Sequence, residues 1–528
     1  MSTARAFALL VASALAFGLY ARLEGPSWTL GFVGLVPFLA ALERARSSAG
    51  ALALGLAYAV LFAFAVFAWF GLGIAVYADA PAAAGLAALA LAAPLLQPQL
   101  PLFALARHAA GGAAARGVAA GAATWLAAEW ALPKLFGDTL GHGLVTAPWL
   151  RQGADLAGAP GLTLALVLAN EGVWAAWRRA HCAGARAALA PLAAVAALVA
   201  MLAGYGALRL RLLDPTLAAA PRLRVAAVQA DIARYGRLRA ELGSYDAVAA
   251  ILTAHFALSE EALAAGNVDL LLWPETVYPT TFGAPKSAEG AEFDRAIAGL
   301  VARSGIPLAL GAYDVEGAAE FNAAFFLERD GDGRVGFDAY RKAALFPLTE
   351  RVPRWLEPLR PWLPWLGTWR PGRSDVVLPV TLPGGRSVRV APLICYDAVD
   401  PALARDAVRR GAELLVTLSN DSWFPGGAHL HLAVSTFRSL ETRRAQARVT
   451  NTGVSALISP TGELLATAGV HERRALVGEL PLVQGVRSVS LALGDWLGPA
   501  ALVVALALLA TRAPTGRLTR RGAARPGS

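Results

Sequence analysis

Val268–Tyr278 reads VDLLLWPETVY, an apolar run that stops at Trp273-Pro274 and delivers Glu275. A short apolar run bounded by a breaker is the pattern of a buried strand. Proline has no N–H for the ladder, so Glu275 is expected where the strand gives way to a loop. Two further segments share this plan. Val390–Asp397 reads VAPLICYD, a buried-strand pattern ending in Cys395, and Tyr340–Pro353 reads YRKAALFPLTERVP, setting Lys342 and Glu350 around a short apolar stretch.

Working outward, Leu223–Gln229, Val268–Trp273, Pro307–Ala312, Val388–Ile394, Leu414–Ser419 and Thr452–Ile458 read as strands. Tyr245–Ala265 and Ala291–Ser304 read as helices between them. Strands alternating with helices predict a layered α/β domain, and a stretch of roughly 270 residues can bury its own core. No internal repeat is present.

The rest of the chain has a different composition. Of 528 residues, 56% are hydrophobic and only 16% charged, and the mean hydropathy is +0.50. That balance excludes a wholly soluble protein and predicts membrane-spanning helices. Eight apolar runs are long enough, near 6–22, 26–42, 50–77, 83–106, 115–133, 160–177, 187–211 and 489–511. The first is followed at once by a second, so it reads as an uncleaved span and not as a signal peptide. The domains expected are therefore spans one to seven in 1–212, the α/β domain in 213–487, a last span in 488–512 and a basic tail in 513–528.

Orientation follows from lysine and arginine asymmetry. Arg5, Arg44, Arg46, Arg107, Arg116, Arg178, Arg179 and Arg186 fall on one side of eight spans, together with the arginine-rich tail. The alternate loops carry mixed charge, such as Arg22 with Glu24 or Lys134 with Asp138. Both termini are expected in the cytoplasm of a bacterial cell and the α/β domain in the periplasm, beyond the inner membrane. This use of basic residues also accounts for the formal net charge of +9 without nucleic acid. The two cysteines, Cys182 and Cys395, then lie on opposite sides and cannot pair. Cys395 is left as a free thiol, and a chemical role for it becomes more attractive.

A thiol is a weak nucleophile until a base takes its proton or a cation steadies its anion. Glu275 is the right type for the base. Lys342 is the right type to keep that carboxylate ionised and to meet negative charge on a tetrahedral intermediate. Each residue alone has a bland reading: an inert buried cysteine, a solvated loop glutamate, half of a basic face. Their three contexts together favour chemistry.

LLLWPET, YRKAALFP and ICYD resemble the three motifs of the nitrilase superfamily, whose catalytic residues run Glu, Lys, Cys along the chain. With eight spans around that domain, the chain is similar to the apolipoprotein N-acyltransferases over nearly its whole length. Further matches are Gln229 in VAAVQADI, Glu350 and Pro353, Asn420-Asp421-Ser422-Trp423-Phe424, His431, and Thr450-Asn451-Thr452-Gly453. The resemblance implies a membrane α-helical bundle of about eight transmembrane helices plus an α-β-β-α sandwich. It also implies a Glu275–Lys342–Cys395 triad, with Glu350, Tyr396, Asp397, Gln229, Trp423 and His431 supporting it or touching substrate. The implied reaction moves an acyl chain from a membrane phospholipid, through a Cys395 thioester, to the N-terminal amine of a diacylglyceryl-modified apolipoprotein. A monomer is expected, with no cofactor and no metal; His429 and His431 at i, i+2 have no third ligand nearby in sequence.

Four positions at three places depart from the family pattern: Leu348-Thr349 where Phe-Gly is usual, Asp397 for a glutamate, and Pro425 for a glycine. They touch substrate preference more than chemistry. Trp355–Trp369, WLEPLRPWLPWLGTW, reads as a lid or membrane-dipping loop. Glu129, at the outer end of the fifth span, is expected to face a substrate cleft. Two rival readings are a membrane-tethered amidase acting on a small soluble amide, and a non-enzymatic scaffold or transporter.

Overall fold

The computed structural model describes residues 3–232, 235–347, 349–352, 357–358, 361–362, 367–423 and 426–511. Most of the Trp355–Trp369 stretch, Leu348, Phe424-Pro425 and the basic tail lie outside that set.

The apolar runs form helices. Thr3–Tyr20, Gly25–Leu42, Ser48–Tyr77, Leu150–Ala183 and Ala185–Ala219 are each long and apolar enough to cross a bilayer. The run expected as one span at 83–106 is instead two helices, Ala82–Leu96 and Gln99–Ala109, bent by 46°. Pro98 between them explains the break, since it offers no N–H and crowds the preceding turn. Two runs expected as spans are shorter: Ala115–Ala131 has 17 residues, and the run expected at 489–511 is broken at Gly494 into Val489–Leu493 and Leu497–Ala510, of 5 and 14 residues, where a bilayer core takes about 20. The seventh run, expected to end near 211, continues as helix to Ala219. One further apolar helix, Ser244–Ala264, passes the same test of length and hydropathy. Its buried residues Val248, Ile251, Leu252 and Leu258 pack on strands of the α/β domain, so its hydrophobicity is that of a core helix.

Two sheets make the α/β domain. β1 (Arg222–Gln229), β2 (Leu270–Leu272), β3 (Tyr278–Thr281), β4 (Leu308–Glu316), β5 (Ala319–Arg329) and β6 (Val335–Arg341) belong to the first. β7 (Leu378–Thr381), β8 (Ser387–Ile394), β9 (Leu414–Ser419), β10 (Ala445–Thr450), β11 (Ser455–Ile458) and β12 (Leu464–Ala468) form the second, and β13 (Arg474–Pro481) returns to the first beside β1. Within each sheet the centre is parallel: β1–β2–β4 in one, β8–β9–β10 in the other. Strand alternation places the layers. Leu223, Val225 and Ala227 of β1 face the second sheet, where Val390, Leu414, Val416 and Val449 meet them. Ala226 and Val228 face the helices Ser244–Ala264 and Ala288–Ser304. The helices Pro401–Arg409 and Ala428–Thr442 cover the far side of the second sheet. The order of layers is α-β-β-α.

The domain is fastened to the membrane helices by the helix Ala428–Thr442. Phe437 and Leu440 are fully buried within the helical bundle's own core. Just beyond, the buried Arg443 reaches Asp155 (2.8 Å) and Gln152 Oε1 (2.7 Å) in the bundle. An unpartnered buried guanidinium would cost several kcal/mol, so this pair fixes one docking geometry. Glu129 accepts from Thr139 (2.7 Å) and pairs with Lys134 (3.3 Å). Those two partners hold its side chain.

Candidate active site

Ligand sites in such sheets form beyond the carboxyl ends of parallel strands. β2 ends at Leu272 and β8 at Ile394, so Trp273-Pro274-Glu275 and Cys395 leave their sheets at those ends. β9 lies beside β8, with Leu418 opposite Ile394, and hands over to Asn420 at the same end. Lys342 follows β6, and its N–H still bonds Asn322 O on β5 (2.8 Å).

Glu275, Lys342, Glu350 and Cys395 line one cavity of about 300 Å³. Glu275 is nearly fully buried and accepts three bonds: from Asn322 Nδ2 (2.7 Å) and Lys342 Nζ (3.0 Å) on Oε1, and from Asn420 N–H (2.8 Å) on Oε2. Three donors on one side chain suit an ionised carboxylate. Lys342 Nζ also donates to Glu350 Oε1 (2.8 Å), which takes a weaker bond from Asn322 Nδ2 (3.2 Å). Glu350 Oε2 accepts from Phe346 N–H (2.7 Å), so Glu350 orients the lysine and the loop after it. Burial opposes the charge on Lys342, but Glu275 and Glu350 outweigh it and hold the ammonium well above its usual pKa. An ammonium has three protons, and two are spent on these carboxylates. Among the described residues the third has no partner, which leaves it for an oxyanion.

Cys395 adopts φ +47°, left-handed for a residue with a side chain. Such strain persists only where the surroundings over-determine it. His431 Nε2 bonds the Cys395 carbonyl (3.2 Å), Tyr396 OH bonds Leu135 O in the helical part (2.6 Å), and Asp397 Oδ2 accepts from Ile394 N–H (2.9 Å). Burial, foremost, and then the Glu275 carboxylate push the thiol pKa up, with Lys342 pulling the other way. That balance works against a resting thiolate and calls for a base during attack.

Asp397 is buried and takes Tyr340 OH (2.9 Å) and Ala344 N–H (2.7 Å) as well. It clips the loop behind Lys342 to the turn that carries Cys395. Burial, partly offset by these bonds, raises its pKa to about 6. Gln229 stands apart from the cavity. It accepts from Ser455 Oγ (2.6 Å) and donates to Gly469 O (2.7 Å), tying the end of β1 to the start of β11 and to the loop after β12. Trp423 closes the turn Asp421–Trp423, and its side chain is outside the described residues.

Sequence reasoning missed Asn322, the lone polar side chain in the apolar run AAFF and its neighbours on β5, and that isolation was the available signal. It also missed a third group beside His431. Cys395, Asp421 and His431 offer Sγ, a carboxylate oxygen and a ring nitrogen all within 4.8 Å of one another. Arg448 already supplies the positive charge there, 2.8 Å from Asp421 Oδ2. Burial works against the charge on Asp421, but Arg448 and His431 hold its pKa well below the usual range. Tyr313, Phe346, Pro347 and Trp369 of the α/β domain line the cavity too, and one further side comes from the helix Ser48–Tyr77. Phe70, Ile74 and Tyr77, at i, i+4, i+7, present one stripe to the triad cavity.

A two-sheet sandwich carrying glutamate, lysine and cysteine at its strand ends, set against membrane helices, defines a nitrilase-like domain on a helical membrane part. Residues 224–487, half of the chain, match the family described as carbon-nitrogen hydrolase, and the chain belongs to that family. Residues 7–171 match the N-terminal domain of apolipoprotein N-acyltransferase. The chain is similar to the apolipoprotein N-acyltransferase of Chlorobaculum tepidum, 31% identical over 43% of this chain and 46% of that one. It is similar to that of Azotobacter vinelandii, 32% identical over 47% of each. The chain spans about half the length of the curated relatives it matches. Among solved structures, an amidase from Nesterenkonia sp. is 23% identical, covers 49% of this chain and 90% of its own, and has a TM-score of 0.33.

Proposed function

We propose that this chain transfers an acyl group from a membrane phospholipid to the α-amine of a diacylglyceryl-cysteine at the N-terminus of a lipoprotein, the reaction of an apolipoprotein N-acyltransferase. The observation that carries the reading is a triad cavity walled on one side by Phe70, Ile74 and Tyr77 of a membrane-spanning helix. An amidase for a small soluble amide needs no such wall.

In the first step Glu275 takes the thiol proton as Sγ bonds the ester carbonyl carbon. The oxyanion meets the spare proton of Lys342. The C–O bond then breaks, the lysophospholipid alkoxide leaves with the proton held by Glu275, and the acyl group stays as a thioester. In the second step the amine bonds the thioester carbon and gives one proton to Glu275. The C–S bond breaks, the sulfur recovers a proton, and an amide is released. Two half-reactions through one acyl-enzyme predict ping-pong kinetics.

The reading places residues 213–487 in the periplasm, with spans in 1–212 and 488–512 and both termini cytoplasmic. The seam lies between Ala219, where the helix ends, and Arg222, where β1 begins. The active unit is a monomer. Glu275, Lys342 and Cys395 are its catalytic residues. Intact-mass measurement of the purified protein in phospholipid should find one fatty acyl adduct on Cys395, discharged by an N-terminal diacylglyceryl-cysteine peptide. An adduct that persists in Cys395→Ala would refute the reading.

A further inference from the structure

Asp421 and Arg448 are buried charges that take no part in the chemistry proposed above, and neither they nor His431 line the triad cavity. The three side chains form one brace. Arg448, on β10, donates to Asp421 Oδ2 (2.8 Å), and Ser419 Oγ, at the end of β9, donates to Asp421 Oδ1 (2.7 Å). A Cβ at Gly453 would overlap Asp421 Oδ2, so the backbone closes on the carboxylate as well. His431 Nδ1 lies 3.0 Å from Asp421 Oδ1 and 3.2 Å from Arg448 Nη2. The ring's other nitrogen, Nε2, lies 3.2 Å from the Cys395 carbonyl oxygen. A carbonyl can only accept, so Nε2 carries a proton and donates it to this bond.

What the bond holds is a peptide plane. The unit joining Cys395 to Tyr396 is rigid, and in a trans peptide the carbonyl and the N–H point in opposite directions. Among the described residues no peptide bond is cis. With its carbonyl turned towards His431, the plane turns Tyr396 N–H away from that ring. His431 lines a cleft on one side of Cys395, whereas Glu275 and Lys342 line the triad cavity, and Cys395 borders both. Turning the plane about the Cα–C bond of Cys395 would swing the N–H and leave Sγ where it is, because the sulfur hangs from Cα. The brace therefore acts on the N–H and not on the nucleophile.

Resting on the function proposed above, we infer that His431 is a positioning residue: braced by Asp421 and Arg448, it holds the Cys395–Tyr396 peptide so that Tyr396 N–H meets the oxyanion of the tetrahedral intermediate alongside Lys342 Nζ. His431 touches neither the ester nor the thiol proton, and Glu275 remains the base. A donor fixed before the reaction serves an oxyanion without reorganising, whereas a peptide free to turn would have to be ordered at that moment.

The test sets two electrophiles against the same sulfur in the full-length protein. The soluble ester p-nitrophenyl acetate forms an S–C bond through an oxyanion and releases p-nitrophenolate. Iodoacetamide forms an S–C bond as iodide leaves, with no oxyanion on the way. In both the thiol proton passes to Glu275. Rates are read at Cys395 by peptide mass, so that the exposed Cys182 does not count. His431→Ala should lower the ratio of acylation to alkylation about tenfold or more, a donor that has lost its aim costing less than the about 10²–10³-fold of one removed. His431→Gln, whose amide N–H can reach the same carbonyl, should keep the ratio near that of the wild type. His431→Leu, which has no donor, replaces the alanine variant if that one does not fold. An unchanged ratio without the donor, or a glutamine variant as impaired as alanine, would overturn the positioning role. A wild type acylated by the small ester but by no phospholipid would overturn the function and leave the positioning role standing.

Discussion

Replacing Asn322 by alanine should slow acylation of Cys395 about 30-fold. Asn322 Nδ2 bonds Glu275 Oε1 at 2.7 Å and Glu350 Oε1 at 3.2 Å, the same two oxygens that Lys342 holds. The four side chains form a closed square with one cation and one amide between two carboxylates. A buried hydrogen bond to a charged acceptor contributes about 1.5–3 kcal/mol. The 3.2 Å bond is the weaker, and Glu275 keeps its bonds from Lys342 and Asn420 N–H, so a loss of about 2 kcal/mol is expected. The amide's own Oδ1 has no partner among the described residues, so truncation strands no further donor. Because Glu275 is freed to wander from the sulfur, the loss falls on proton transfer, and 2 kcal/mol is about 30-fold in rate. Asn322→Asp puts a third carboxylate against one lysine and should cost about 10²–10⁴-fold, the scale of a lost general base. The assay is quenched-flow mixing with phospholipid vesicles followed by intact mass, with thermal unfolding run alongside. An Asn322→Ala rate within twofold of wild type, in a folded protein, would refute the square as the device that aims Glu275.

Three other perturbations probe different parts of the argument. A Cβ at Gly311 would come 2.5 Å from both Glu275 Cα and Thr276 N, and backbone cannot yield as a side chain can. Gly311→Ala should therefore abolish acyl-enzyme formation and lower stability by about 1–3 kcal/mol, although the residue touches no substrate; full activity would show that the strand end is looser than drawn. Asp397 has a folded pKa of about 6 against a reference of 3.8, so the folded state binds its proton more tightly than the unfolded one. Its contribution is fully present below about pH 4 and lost as pH rises through 6, about 3 kcal/mol in all. Unfolding midpoints across pH 4–7 should show that decline, and Asp397→Asn should flatten it. Asp155→Asn leaves the buried Arg443 without its carboxylate and should cost about 3–5 kcal/mol, read as a fall in the unfolding midpoint; an unchanged midpoint would mean the junction is not a seam under load.

Several elements were legible because their signals are local. Leu414–Ser419 is an uninterrupted apolar strand and occurs at the expected residues. Val388–Ile394 and Tyr245–Ala265 differ by one residue from the strand and helix found. β10 was not legible. Its Gln446 and Arg448 look wrong for an interior strand until Gln446 meets Thr417 (2.7 Å) and Ser435 (2.6 Å) and Arg448 meets Asp421. Polar residues in a core are tolerated through partners far along the chain, and no local pattern displays those. Asn322 is the same case. Glu275, Lys342 and Cys395 stood out because each sits at one end of an apolar run, Glu275 and Cys395 closing theirs and Lys342 opening AALFP. Phe70, Ile74 and Tyr77 could not, since a lipid-facing stripe and a cavity wall look alike in a hydrophobic helix. The bend in the fourth run was missed for a different reason: Pro98 was present in the sequence, but hydropathy averages over a break that a single missing N–H enforces.

The helix Ala428–Thr442 is one rigid beam with two loads. Near its first turn His431 grips the carbonyl of the strained Cys395, and two turns on Phe437 and Leu440 are wedged among lipid-embedded helices. Any tilt of those helices is levered onto the sulfur. Catalysis should therefore report on the mechanical state of the surrounding bilayer, falling in thin or loosely packed lipid while the α/β domain still unfolds at its usual temperature.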